Sequence, residues 1–255
     1  MDQTQLAQIY EELVSGLQDY FKKHGFSKAV LGVSGGIDSA LTLKIAVDAL
    51  GPENVTGLIM PEKGLTSQEN IYHAKTLCEF LGVKSHTIQI NRFAMDFGTL
   101  PWKGNTLAQM NIKPRVRMML LYHFANTNNA LVLGTSNRSE ILLGYGTKFG
   151  DFAADIEVIA DLFKEDVYAV SRYIGLPDEL IDKKPSAELA AGQTDEDELG
   201  ASYNELDPIL RQHEQGFEAL LGKGMNPSLL NKTFRRIEDN RHKTSPIPMI
   251  KITRL

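Results

Sequence analysis

Four short apolar runs, each separated from the next by a stretch of helical spacing, restrict this chain more than any other feature. Residues 29–33, 55–60, 86–90 and 130–134 read as strands, and the stretches 39–50, 66–81 and a longer one ending near Asn126 read as helices. An opening helix over 5–23 sets Leu6, Ile9, Leu13, Leu17, Tyr20 and Phe21 on one face. Gly51-Pro52 ends the next helix, Thr66 and Glu69 have the spacing of a capping box, and Pro114 marks a start or kink in the long one. Strands that alternate with helices must pair through crossovers, which predicts an α/β fold: a parallel sheet flanked by helices on both faces. Ligands bind such sheets beyond the carboxyl ends of the strands, which singles out the loops after Val33, Met60 and Gly134. Beyond residue 160 the strand signal fades. The stretches 164–174, 203–215 and 227–241 predict a helical C-terminal portion, and the acidic stretch 195–198 reads as a mobile surface loop.

With 255 residues, 42% hydrophobic and 23% charged, the chain is expected to form one domain over 1–255. No apolar run reaches the roughly 20 residues of a membrane span. Residues 1–18 lack a basic start followed by an apolar block, so export is not expected. The single cysteine, Cys78, has no partner for an internal disulfide or a zinc cluster, which fits a reducing, cytoplasmic setting. A net charge of −5 argues against a broad nucleic-acid footprint and favours small-molecule substrates.

The run Gly32-Val33-Ser34-Gly35-Gly36-Ile37-Asp38-Ser39 lies between an expected strand and an expected helix. Small residues let the backbone approach an anion, and a helix N-terminus presents unpaired N–H groups and a favourable dipole, so the run suits phosphate. It lacks the lysine of the ordinary P-loop and the G-x-G-x-x-G spacing of dinucleotide folds. Asp38 would repel phosphate unless a cation intervened, which makes it a candidate Mg²⁺ ligand. An isolated Ser-Gly-Gly also fits a turn in which Asp38 and Ser39 merely cap a helix. In its full context the run resembles the pyrophosphate loop of the N-type ATP pyrophosphatases, enzymes that cleave ATP between its α- and β-phosphates.

A second block, Leu133-Gly134-Thr135-Ser136-Asn137-Arg138-Ser139-Glu140, leads into Gly144-Tyr145-Gly146-Thr147-Lys148-Phe149-Gly150-Asp151 and then Ala154-Asp155. Read alone, this is either a carboxylate and lysine cluster suited to a metal and a phosphorylated ligand, or a glycine-rich surface loop. Together with Lys113-Pro114-Arg115-Val116-Arg117-Met118, Lys184-Pro185-Ser186-Ala187-Glu188-Leu189 and Gly192-Gln193-Thr194-Asp195-Glu196-Asp197-Glu198-Leu199-Gly200, it resembles the ammonia-dependent NAD synthetase family from the first helix to about Lys243.

That resemblance implies an adenine nucleotide alpha hydrolase-like fold, a homodimer, and ATP-driven amidation of deamido-NAD by ammonia through an adenylated nicotinate. It carries ATP contacts onto Gly32, Val33, Ser34, Gly35, Gly36, Ile37, Asp38, Ser39, Thr135, Lys164 and Ser186. Mg²⁺ ligands fall on Asp38 and Glu140, and deamido-NAD contacts on Arg115, Lys148, Asp155, His242 and Lys243. Asp38 and Lys164 are the expected catalytic groups, with Asp151 a candidate base toward ammonium. Pro114 stands where other members have Ala, and is expected to shift the helix start while leaving the role of Arg115 intact. On the plain reading, Arg115, Arg117 and Lys164 are surface charges and His242-Lys243 is a frayed end. A tRNA-modifying ligase and a nucleotide sensor of the same fold are the rival readings. The first would need a basic surface or an added domain; the second needs no metal pair.

Overall fold

The computed structural model describes residues 1–183 and 194–253. Helix α1 (Gln3–His24) opens on a capping box in which Asp2 Oδ1 accepts from Gln5 N at 2.8 Å and Gln5 Oε1 accepts from Asp2 N at 2.9 Å. It ends on Gly25, whose φ of 72° only glycine adopts freely. Then follow β1 (Lys28–Gly32), α2 (Ile37–Leu50), β2 (Val55–Ile59), α3 (Gln68–Phe80), β3 (Lys84–Thr87), α4 (Asn91–Met95), α5 (Thr106–Asn128), β4 (Ala130–Gly134), α6 (Arg138–Leu143) and β5 (Ile156–Glu157). The C-terminal part is helical: α7 (Lys164–Tyr173), α8 (Asp178–Ile181), α9 (Asp195–Leu199), α10 (Tyr203–Leu210), α11 (Phe217–Gly222) and α12 (Pro227–Asn240).

The strands form one parallel sheet in the order β3-β2-β1-β4-β5. Strand alternation sorts the core. Ala29, Leu31, Leu131 and Leu133 face the cluster built with α1, α2, α3 and α7, whereas Val30, Ala130 and Val132 face the one built with α5. Both faces are covered, as the continuous apolar runs predicted. Chain order reverses at β1, which pairs with β2 on one side and β4 on the other, so the crevice opens between the loops leaving β1 and β4.

Several sequence expectations are corrected. The capping hydroxyl of α3 is Ser67, which accepts from Asn70 N, while Thr66 accepts from Glu62 N instead. Helix α5 starts at Thr106, capped by Asn105, and runs through Pro114, so the proline neither starts the helix nor shifts it. Pro114 is buried against the loop after α6: a Cβ added at Gly150 would lie 2.8 Å from the proline Cβ, and this packing offsets the lost backbone donor. The third strand ends at Thr87, earlier than Ile90. Strand β5 was not anticipated, and the expected helix over 203–215 divides into α10 and a 3₁₀ turn. The acidic stretch 195–198 is helix α9, with Asp195 buried, and not a surface loop.

Candidate active site

A cleft of about 480 Å³ lies at the carboxyl ends of β1, β2 and β4, lined by all three loops that the sheet rule singled out. Its floor is the turn between β1 and α2. Gly35, at φ 83°, is pressed against α3: a Cβ there would sit 2.3 Å from the backbone oxygen of Asn70, so no side chain fits. Ser34 and Ser39 hold the turn shut, with their hydroxyls 3.1 Å apart and Ser39 Oγ donating to Gly36 O at 3.0 Å. Gly36, the N-cap of α2, has no side chain to satisfy the first N–H groups of the helix, which leaves them available to an anion.

Three elements converge beside this turn. Asp38 is in the first turn of α2, Glu140 in the first turn of α6, and Lys164 begins α7. The Lys164 ammonium, 2% exposed, lies 2.5 Å from Asp38 Oδ2 and 3.9 Å from Glu140 Oε1. Asn137 Nδ2 donates to Asp38 Oδ1 at 2.9 Å, and Asn137 also forms the capping box of α6 with Glu140. One asparagine thus sets the position of both carboxylates. Burial alone would lower the Lys164 ammonium below its usual range, but the Asp38 and Glu140 charges outweigh it and raise it. Burial first, and then the Asp38 charge, hold the Glu140 carboxyl well above the carboxylate range, with Lys164 opposing. The Glu140 side chain is 18% exposed.

Helix α9 closes one side. Asp195 accepts from the hydroxyls of Tyr145 at 3.0 Å and Tyr203 at 3.3 Å, and burial raises its carboxyl. Opposite, Asp151 Oδ2 accepts from Thr147 N at 3.0 Å. Asp151 is exposed to the cleft, and crowding by surrounding protein raises its carboxyl against that hydrogen bond and the Arg117 charge.

The family model described as NAD synthase matches residues 9–247. This chain belongs to the NAD synthase family. It is 42% identical over 252 residues to an NH(3)-dependent NAD(+) synthetase of Fusobacterium nucleatum, covering 98% of this chain and 97% of the relative. Among solved structures it resembles the NMN synthetase of Francisella tularensis, with a TM-score of 0.87 and 32% identity over 99% of this chain and 100% of that one. It also resembles the NH3-dependent NAD synthetase of Campylobacter jejuni in complex with nitrate, with a TM-score of 0.83 and 32% identity over 98% and 100% of the two chains. The parallel sheet with its helical C-terminal region is the fold expected of this family.

Of the residues expected to contact ATP or metal, Gly32, Val33, Ser34, Gly36, Ile37, Asp38, Ser39, Thr135, Glu140 and Lys164 line the cleft, and Gly35 supports it from behind. Ser186 lies outside the described residues. Those expected to contact deamido-NAD divide. Lys243 lines the cleft and donates to Gly144 O at 2.8 Å. Lys148 and Arg115 lie outside the cleft wall, tied into the loop after α6: Lys148 Nζ donates to His242 O, and Arg115 donates to Lys148 O. The Asp155 carboxylate accepts from Val132 N at 2.7 Å and from the Tyr122 hydroxyl, which fixes the entry to β5. His242 contributes its backbone carbonyl, which accepts from Lys148.

Sequence reasoning missed Asn137, Asp195, Tyr145, Tyr203 and Glu157. Asn137 and Glu140 carried a legible signal in their capping-box spacing. Glu157 Oε2 accepts from Ser136 N at 3.1 Å, and a Cβ at Gly134 would meet the same oxygen at 2.2 Å, so glycine at 134 makes room for the glutamate.

Proposed function

We propose that this chain catalyses the ATP-dependent amidation of deamido-NAD by ammonia, releasing AMP and pyrophosphate. The observation that carries it is the convergence of Asp38, Glu140 and Lys164 beside the capless N-terminus of α2, in a member of the NAD synthase family. A carboxylate does not release oxide to ammonia, so activation must come first. The nicotinate oxygen attacks the α-phosphorus of ATP, the bond to the β-phosphate breaks, and pyrophosphate leaves with the electron pair toward the turn formed by Ser34, Gly35 and Gly36. Ammonia then attacks the adenylated carbonyl, AMP departs, and the nitrogen loses a proton, which Asp151, exposed to the cleft, accepts. The chain's main contribution is alignment by the turn and fixed positive charge from Lys164.

Asp38 and Glu140 fit Mg²⁺: they are hard oxygen donors brought together beside the Lys164 ammonium, and Mg²⁺ takes one or two carboxylates with phosphate and water completing its shell. When bound there it would neutralise phosphate charge. Among the described residues no group of three or more His, Cys, Asp or Glu side chains forms a cage of its own.

The similarity to an NMN synthetase favours a second acceptor, nicotinate mononucleotide. Incubating purified protein with ATP, Mg²⁺, ammonium and equal amounts of deamido-NAD and nicotinate mononucleotide, then measuring NAD, NMN and AMP, decides between them. Formation of neither amide overturns both readings.

We also infer a cytoplasmic homodimer. Among the described residues no helix is long and apolar enough to cross a membrane, and Cys78 is a buried free thiol. Exposed Met95, Trp102 and Leu107 put large apolar side chains on the surface ahead of and at the start of α5, which suits burial against a second copy. Light scattering that returns a monomer mass at working concentration would refute the dimer.

A further inference from the structure

The cleft has one cation that the chemistry above does not use. After α8 the chain turns back on itself: Asp182 stays exposed, paired with Arg172, while Lys183 returns to the cleft with Leu180. The neighbouring Leu180 and Ile181 are buried in the core with Ile37 and Leu41 of α2, so Lys183 is carried by an element anchored to the helix that begins at the phosphate turn.

The other cationic side chains along the cleft already have partners. Lys164 is held by Asp38 and Glu140, Arg117 Nε donates to Met60 O, Arg236 donates to Glu198 O, and Lys243 donates to Gly144 O. Among the described residues, the Lys183 ammonium alone is shielded from solvent without a hydrogen bond or an ion pair. An ammonium shielded from solvent without a partner is unfavourable, which a fold tolerates when the counter-charge arrives with a ligand. Asn70, 5% exposed, lines the same cleft, and its side-chain oxygen also lacks a partner. It is the residue whose backbone is pressed against Gly35, so Asn70 abuts the phosphate turn at one side of the cleft that Lys183 also lines.

Lys164 is committed to two carboxylates, and the turn offers neutral N–H donors. A further, uncommitted cation would match more of the negative charge of a departing pyrophosphate than these and the Mg²⁺ proposed above. We propose that Lys183 is a phosphate-binding residue of this site, holding the β- and γ-phosphates of ATP and stabilising pyrophosphate as it leaves. This rests on the ATP reading given above. As the bond from the α-phosphorus to the bridging oxygen breaks, the electron pair stays on the β-phosphate, where a fixed ammonium stabilises it.

The test is calorimetric titration of the full chain with ATP, with inorganic pyrophosphate and, separately, with deamido-NAD, all in Mg²⁺. The wild type, Lys183→Met and Lys183→Arg are compared. Lys183→Met should weaken ATP and pyrophosphate at least tenfold, leave deamido-NAD within twofold, and leave the melting temperature unchanged or raised, because an unpaired charge is removed. Lys183→Arg should recover most of the lost affinity. Unchanged pyrophosphate and ATP binding in Lys183→Met, against a wild type that binds both, overturns this inference alone. So does a lowered melting temperature with all three ligands weakened together, which would mark Lys183 as structural. A wild type that binds neither ATP nor pyrophosphate removes the ATP reading and this inference with it.

Discussion

Asp38→Asn and Glu140→Gln look equivalent, each removing one negative charge from the same site, yet they should differ sharply in metal-free protein. At an effective dielectric of about 20, the 2.5 Å contact from Lys164 to Asp38 corresponds to about 6–7 kcal/mol of attraction and the 3.9 Å contact to Glu140 to about 4 kcal/mol. Losing Asp38 also relieves its repulsion of the Glu140 carboxyl, so part of the lost attraction is regained and Glu140 remains the partner of Lys164. The difference between the two contacts, about 2 kcal/mol, sets the scale of the net loss, well short of the 3–5 kcal/mol for stranding a fully buried charge. Spread over a chain of 255 residues this is a fall of about 4–8 °C in melting temperature. Glu140→Gln removes the longer and weaker of the two contacts to Lys164 together with its repulsion of Asp38, and the amide oxygen still accepts from Asn137 N, so its melting temperature should stay within about 1–2 °C of wild type.

The assay is calorimetric melting near neutral pH in a chelating buffer. An Asp38→Asn protein as stable as wild type, or a Glu140→Gln protein that loses more than Asp38→Asn, would refute the reasoning. The sequence alone does not show this asymmetry, since the ion pair with Lys164 is not visible there. In turnover with ATP and Mg²⁺ both variants should lose at least about a hundredfold, because each carboxylate would hold the Mg²⁺ that neutralises phosphate charge.

Burial pushes the Glu157 carboxyl up from 4.5 to about 7, with the Ser136 N–H opposing and the Asp151 charge adding to it. The folded state therefore holds that proton more tightly than the unfolded chain, a stabilisation present below 4.5 and lost as pH rises through about 7. Glu157→Gln, which keeps an acceptor for Ser136, should flatten that decline in melting temperature, and an unaltered profile would exclude Glu157 as its source. Gly134→Ala should displace the Glu157 carboxylate from its contact with Ser136 and lower NAD formation at least tenfold, whereas Gly64→Ala, where nothing lies within 4 Å, should leave activity alone despite some backbone strain at φ 91°. Cys78 is fully buried and its thiol is pushed up to about 11, chiefly by burial, so Cys78→Ser should leave ammonia-driven turnover intact. Cys78-dependent NAD formation from ammonia-free glutamine would contradict this.

Strands β1, β2 and β4 and the turns that leave them were legible because both signals are local. A strand buried on two faces must be continuously apolar, and a backbone pressed against an anion or a neighbouring helix must be glycine. Boundaries failed where two residues satisfy the same rule: Thr66 and Ser67 both offer a capping hydroxyl, and tertiary context gave the cap to Ser67 because Thr66 is taken by Glu62. Pro114 broke a reliable rule, and its reason for doing so, the glycine at 150, is 36 residues away in sequence. Strand β5 has two residues, too few for any period, and exists because Asp155 ties the segment to β4.

The site divides the same way. Asp38 and Glu140 were recognisable from motifs within eight residues of each, but the lysine that joins them comes 126 positions after Asp38, and nothing near Lys164 in sequence distinguishes it from a solvated charge at a helix start. Helix α9 shows the limit most clearly. Its acidic run is what solvated loops look like, and also what the positive end of a helix dipole attracts. What turns Asp195 inward is a pair of tyrosine hydroxyls, one of them 50 positions away, which complete its hydrogen bonding and allow burial beside Lys164. A local pattern can therefore nominate a carboxylate, but only the fold decides whether it faces water or a substrate.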